Sequence, residues 1–229
     1  LAMDAYLPFW SLLRARYDIV LFDQRNHGQN PFHGDAGHNW PRIMRDNPEI
    51  FDGIAREFGP KPVIGAFHSL SAVAAAMALK RLGPTWSKLV LFDPPIFPPE
   101  GHTLVSLENL HMEDMAALAR RRPERYPDPE TFAAQLASRK GFQRWVPGAH
   151  DLFARATLRP DEKGGGWVLR CPRHLEARIF ADNVDPTVWP GLADPSVPVF
   201  LIGADTTLDG QGAPAFLTAA LAEDVGLPY

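Results

Sequence analysis

The chain has 229 residues, 45% of them hydrophobic and 22% charged, which suits one large globular domain or a domain with an insert. The formal net charge is −4 and no long basic face appears, so neither nucleic acid nor an anionic membrane surface is expected as a partner. Cys171 is the only cysteine, which excludes an internal disulfide, and the longest apolar stretches fall far short of the roughly 20 residues of a membrane-spanning helix. A soluble chain in a reducing cytoplasm fits these numbers.

Residues 2–16 carry apolar side chains at helical spacing, and the short β-branched run "DIVLFD" after them reads as a buried strand. A polar loop rich in Gly, Asn and His follows over 24–39. Residues 40–58 resume a helical pattern, with an irregularity expected at Pro48. Then "KPVIGAF" reads as a strand, "LSAVAAAMALKRLG" as a helix closed by Gly83, and "KLVLFD" as another strand. Apolar strands alternating with helices predict an α/β fold, a mostly parallel sheet flanked by helices. After Asp93 the texture changes. A proline-rich linker, "PPIFPPEGH", leads into helical segments over 113–122, 129–139 and 145–157 with no buried strand among them. The sheet pattern returns at "VPVFLIG" and is followed by a helical run over 213–222. The expected domains are a first core part, 1–94, a helical cap insert, 95–195, and a second core part, 196–229.

Ser69 stands where the strand "PVIGAFH" meets the helix "LSAVAAAMAL". A serine hydroxyl is a weak nucleophile unless a base adjoins it and its oxygen is lifted clear of the backbone. A sharp strand-to-helix turn does the lifting, and it aims the next N–H, that of Leu70, at an oxyanion. Such a turn crowds the positions two before and two after the serine, here Phe67 and Ser71, where small residues are usual. Two other readings stay open at this point: Ser71 as the nucleophile in a shifted register, and Ser69 as an ordinary serine at a helix start.

These segments together resemble the α/β-hydrolase fold family, in its capped, esterase-like branch. "DIVLFDQRNHGQNP" is similar to that family's strand and loop of the form D-x-R-G-H-G-x-S, with Asn26 in place of a glycine. Asn is the non-glycine residue that best tolerates positive φ. "PVIGAFHS" is similar to the strand leading into the nucleophile, and "PVFLIGADTT" to the strand that often delivers the catalytic acid. The resemblance implies a serine hydrolase with Ser69 as nucleophile, the Leu70 N–H as oxyanion donor, and Asp205 or Asp93 as the acid, with Asp209 a third possibility. It implies no cofactor, and a small hydrophobic ester-like substrate in a pocket to which His68, Phe97, Trp145 and Phe153 contribute. A dehalogenase of the same fold would carry aspartate at position 69.

The base is missing from this assignment, because the family's chain order is Ser, acid, His and no histidine follows His174. On the resemblance the chain is a fragment, with an oxyanion-loop segment expected upstream and the base histidine expected downstream. The isolated chain is then expected to hydrolyse esters poorly. A non-catalytic binding protein on the same scaffold is the competing reading. His27, His33, Asp35 and His38 lie close together in one loop, but their spacing matches no zinc motif and no metal site is expected.

Overall fold

The computed structural model describes residues 2–182 and 185–229. After a 3-10 turn at Met3–Tyr6 come α1 (Leu7–Trp10), α2 (Trp40–Phe58), β1 (Ile64–His68), α3 (Leu70–Leu82) and β2 (Lys88–Phe92). Then follow α4 (Val105–Arg121), β3 (Arg125–Tyr126), α5 (Pro129–Ala137), α6 (Ala149–Thr157), β4 (Leu158–Pro160) and β5 (Trp167–Leu169). The chain continues through α7 (Arg173–Ala181), α8 (Val188–Gly191), β6 (Val199–Ile202) and α9 (Ala213–Val225). This is the expected α/β class, helices flanking a parallel sheet. Among the described residues no helix is long and apolar enough to cross a membrane.

The chain divides into two compact units, one of residues 39–116 and 179–229, the other of 117–178 with the segment up to His38. The first holds the parallel sheet, in the order β1-β2-β6. Its register aligns Gly65 with Leu89 and Val199, and Phe67 with Leu91 and Leu201, so these residues share one buried face. The opposite face leaves Ile64 and Ile202 each 46% exposed. On the buried face Phe67 sets its ring edge-on to Trp86 at 5.4 Å, and Trp86 meets Phe51 of α2 in the same manner at 5.6 Å. Trp86 Nε1–H donates to the buried Asn47 at 3.3 Å, so the polar groups in this cluster are matched. Residues 72–79 of α3 are all buried, and Gly83 closes the helix at φ 88° as expected. Helix α2 starts on an Asn39 cap and runs through Pro48 without ending.

The second unit has its own core, in which Tyr126, Phe132, Leu136, Phe153, Leu158 and Leu169 pack together. Two expectations fail here. The insert contains three short strands, an antiparallel sheet in the order β3-β5-β4, because residues too few to show a period in sequence can still find partners in space. Conversely, residues 18–23 form no strand, and Val20 and Leu21 are 41% and 37% exposed. β-propensity makes a strand only where a partner ladder receives it.

The polar loop after that run is tightly built. Asp23 is buried and its carboxylate accepts the N–H groups of Met3 (2.6 Å) and Gln29 (2.7 Å). Gly28 sits against it at φ 53°, where a Cβ would strike the Asp23 carboxylate at 2.1 Å. Asn26 takes φ 63°, as anticipated from its place in the motif, and is 2% exposed. Its amide donates to Gly34 C=O and to Nδ1 of His38, and its oxygen accepts the His33 N–H. Nδ1 of His38 therefore accepts, and the ring's proton sits on Nε2. Burial lowers His38 to about 4, helped by Arg178 and Arg25, and burial lowers His27 to about 3.

Two outcomes follow from this packing. A Cβ on Gly65 would meet the Phe67 ring at 2.5 Å and Trp86 at 2.9 Å, so Gly65→Ala should destabilise the protein by about 1–3 kcal/mol in a denaturant titration. Both folded histidine values lie below the ordinary value of about 6.5, so the unfolded chain takes up these protons first. The neutral rings stabilise the fold above about pH 6.5, and that contribution is lost as pH falls toward 4. The urea midpoint should drop across this window, and drop less in His38→Gln.

Candidate active site

In a parallel sheet all strands end at the same edge, and ligands bind beyond their carboxyl ends. Ser69 follows β1, Asp93 follows β2 and Asp205 lies three residues past β6, so the sheet topology brings all three to that edge. Leu70, whose N–H opens α3, and His68, the last residue of β1, come with them.

Ser69 takes φ 55° and ψ −129°, a conformation that L residues rarely adopt. Its N–H donates to Phe92 C=O at 2.9 Å, one rung past the end of the β1–β2 ladder, and its own C=O accepts from Ala72 and Val73. The backbone is thus claimed by sheet on one side and helix on the other. The hydroxyl is claimed by neither, since Ser69 occupies the cap position of α3 without making a side-chain cap bond. That removes the reading of Ser69 as an ordinary capping serine, which rests on such a bond. The hydroxyl tied into the backbone is that of Ser71, which donates to His68 C=O at 2.7 Å and accepts the His68 N–H at 3.1 Å. Phe67, unexpected at so crowded a position, is accommodated because its ring folds over Gly65.

The two carboxylates differ. Asp93 is half-buried at φ 41°, its N–H donating to Ile202 C=O and its Oδ1 accepting the Ala204 N–H at 3.0 Å. Strand β2 is the direct neighbour of β1, so Asp93 stands one strand from Ser69. Asp205 is exposed and follows the far strand, and its Oδ1 accepts both the hydroxyl (2.7 Å) and the N–H (2.9 Å) of Thr207. Those bonds hold its carboxyl below the usual range. Asp209 is exposed on the same loop. Burial lowers His68, opposed by the Asp93 carboxylate. Tyr229 lies against Gly203, where a Cβ would meet its hydroxyl at 2.7 Å. Burial, then the charges of Asp93 and Asp205, push its phenol up. Neither the Ala204 contact nor the place of Tyr229 has a local sequence signal, since the first depends on β6 lying beside β2 and the second on the last residues running beside β6, where the Leu201 N–H donates to Pro228 C=O.

The remaining pocket candidates fall in separate units. Phe97 is buried in the linker after Asp93. Phe153 and Trp145 belong to the other unit, where Phe153 is 6% exposed within the aromatic core and Trp145 stacks on His150 at 5.4 Å. Among the described residues no group of three or more His, Cys, Asp or Glu could hold a metal ion.

A sequence profile of the alpha/beta hydrolase family matches residues 3–228. The chain belongs to the alpha/beta hydrolase family. Solved structures share the fold. One of an E-2-(acetamidomethylene)succinate hydrolase is 20% identical with a TM-score of 0.76, covering 99% of this chain and 77% of that one. An N-formylmaleamic acid deformylase from Pseudomonas putida is 16% identical, with a TM-score of 0.62 over 98% of this chain and 76% of that one. MenH from S. aureus is 14% identical, with a TM-score of 0.65 over 100% and 79%. No curated protein sequence matches the chain. By its family this protein is a hydrolase.

The strain at Ser69 has a measurable consequence in this hydrolase. Glycine adopts positive φ freely, so Ser69→Gly should stabilise the fold by about 1 kcal/mol, read as a raised urea midpoint.

Proposed function

We propose that the hydrolase acts through an acyl-enzyme on Ser69. The observation that carries this reading is the Ser69 backbone at φ 55° and ψ −129° with its hydroxyl left out of every cap. In the proposed cycle Ser69 Oγ attacks a substrate carbonyl carbon while the imidazole of a base histidine, expected downstream of these 229 residues, takes the hydroxyl proton. The carbonyl oxygen becomes an oxyanion facing the Leu70 N–H, one of the first N–H groups of α3 and so without an acceptor inside the helix. The imidazolium returns the proton to the leaving group, and water then cleaves the acyl-enzyme by the same route.

For the carboxylate that orients the imidazole, Asp93 is the better supported of the two candidates. It is half-buried, fixed by the Ala204 N–H and next to the strand of Ser69, whereas Asp205 spends its carboxylate on Thr207 in solvent. A carboxylic ester is the substrate bond proposed, with Phe97 supplying apolar surface close to Asp93 in the chain.

Labelling with a fluorophosphonate probe tests these roles. In a protein that includes the downstream segment expected to carry the base histidine, wild type should be labelled and Ser69→Ala should not, and Asp93→Asn should slow labelling at least about a hundredfold while Asp205→Asn changes it little. Persistent labelling of Ser69→Ala would remove the serine from its role. A wild type that resists the probe would favour a binding protein on a hydrolase scaffold.

A further inference from the structure

A cleft of about 430 Å³ lies within the second compact unit, its lining including Gly28, Asn30, Phe32, Arg159, Leu169 and Arg170. Its lining contains two arginines and no acidic residue. The unit around it carries sixteen Lys and Arg against eleven Asp and Glu, in a chain whose overall charge is −4. One wall is the loop after Asp23 and the other is the β4–β5 hairpin with the residues that follow it.

Both walls are fixed. Asp23 holds the loop by accepting the Gln29 N–H and by packing against Gly28. Gly28 in turn presents its carbonyl to Nη1 of Arg170 at 3.0 Å, and Nε of the same guanidinium donates to Leu158 C=O at 2.9 Å. Arg170 is therefore locked in orientation by two backbone carbonyls, with its Nη2 amino group left over. Arg159, on β4, is exposed and makes no ion pair among the described residues, unlike Arg125 and Arg155, which pair with Asp161 and Glu130. The apolar lining includes Leu169, buried, and Phe32, 57% exposed. A preorganised guanidinium, a second unpaired one and an exposed ring make a site for an anion with an apolar body.

We infer that this cleft binds a small carboxylate carrying an apolar or aromatic group, its carboxylate held by Arg159 and the Nη2 of Arg170 and its body laid on Phe32 and Leu169. No residue lining the cleft belongs to the unit that carries Ser69.

Benzoate is the probe, with neutral benzamide and inorganic phosphate beside it, titrated into the whole 229-residue chain and followed by amide NMR shifts. Benzoate should shift the amides of Gly28, Asn30, Leu169 and Arg170, benzamide should not, and phosphate should bind more weakly. Arg159→Gln, at an exposed position where folding is not at stake, should weaken benzoate about tenfold, and Arg155→Gln should leave it unchanged. Equal binding of benzoate and benzamide, phosphate binding as tightly as benzoate, an undiminished response in Arg159→Gln, or shifts confined to other residues would each overturn the assignment.

Discussion

The backbone of Ser69 is the constraint on which the site depends. A residue at φ 55° persists only where its surroundings over-determine it, and here three things do. The Ser69 N–H continues the β1–β2 ladder, the Ser69 carbonyl starts α3, and the Ser71 hydroxyl ties the next turn back onto His68. Together they leave the Ser69 hydroxyl with no structural work.

The same sheet edge separates two carboxylates that look equivalent in sequence. Asp93 and Asp205 both follow an apolar strand and both begin a turn. The strand order β1-β2-β6 puts Asp93 one strand from Ser69 and gives its carboxylate the N–H of Ala204, two residues past β6. Asp205 instead closes a turn on itself through Thr207, two residues on, a local arrangement that aspartate adopts readily wherever it starts a loop. Adjacency in the sheet, rather than the residue or its local motif, makes the difference.

Much of the core was legible because buried strands and long helices leave strong periodic signals. β1, β2, β6, α2, α3 and α9 all appear where the patterns put them, and Asn26 at φ 63° shows that one substitution in a loop motif can be read through its backbone preference. The insert was legible only as helices. Strands of two or three residues, such as β3 and β5, carry no period, and their pairing is a tertiary fact. Residues 18–23 show the converse, a run with every local mark of a strand that has no ladder to join.

By itself the sequence determined the α/β class, the position of the strand-to-helix turn and the residue types gathered there, because those follow from periodicity and from chemistry carried by single residues. Only the tertiary structure decided that Ser71 rather than Ser69 is spent on the backbone, that Phe67 fits beside the strand-to-helix turn because Gly65 makes room, and that Asp93 is the carboxylate held by an N–H from beyond β6. It likewise assigned Phe153 to an aromatic core of its own unit. Each of these rests on which atoms meet across strands and helices distant in the chain, and local sequence carries no record of such meetings.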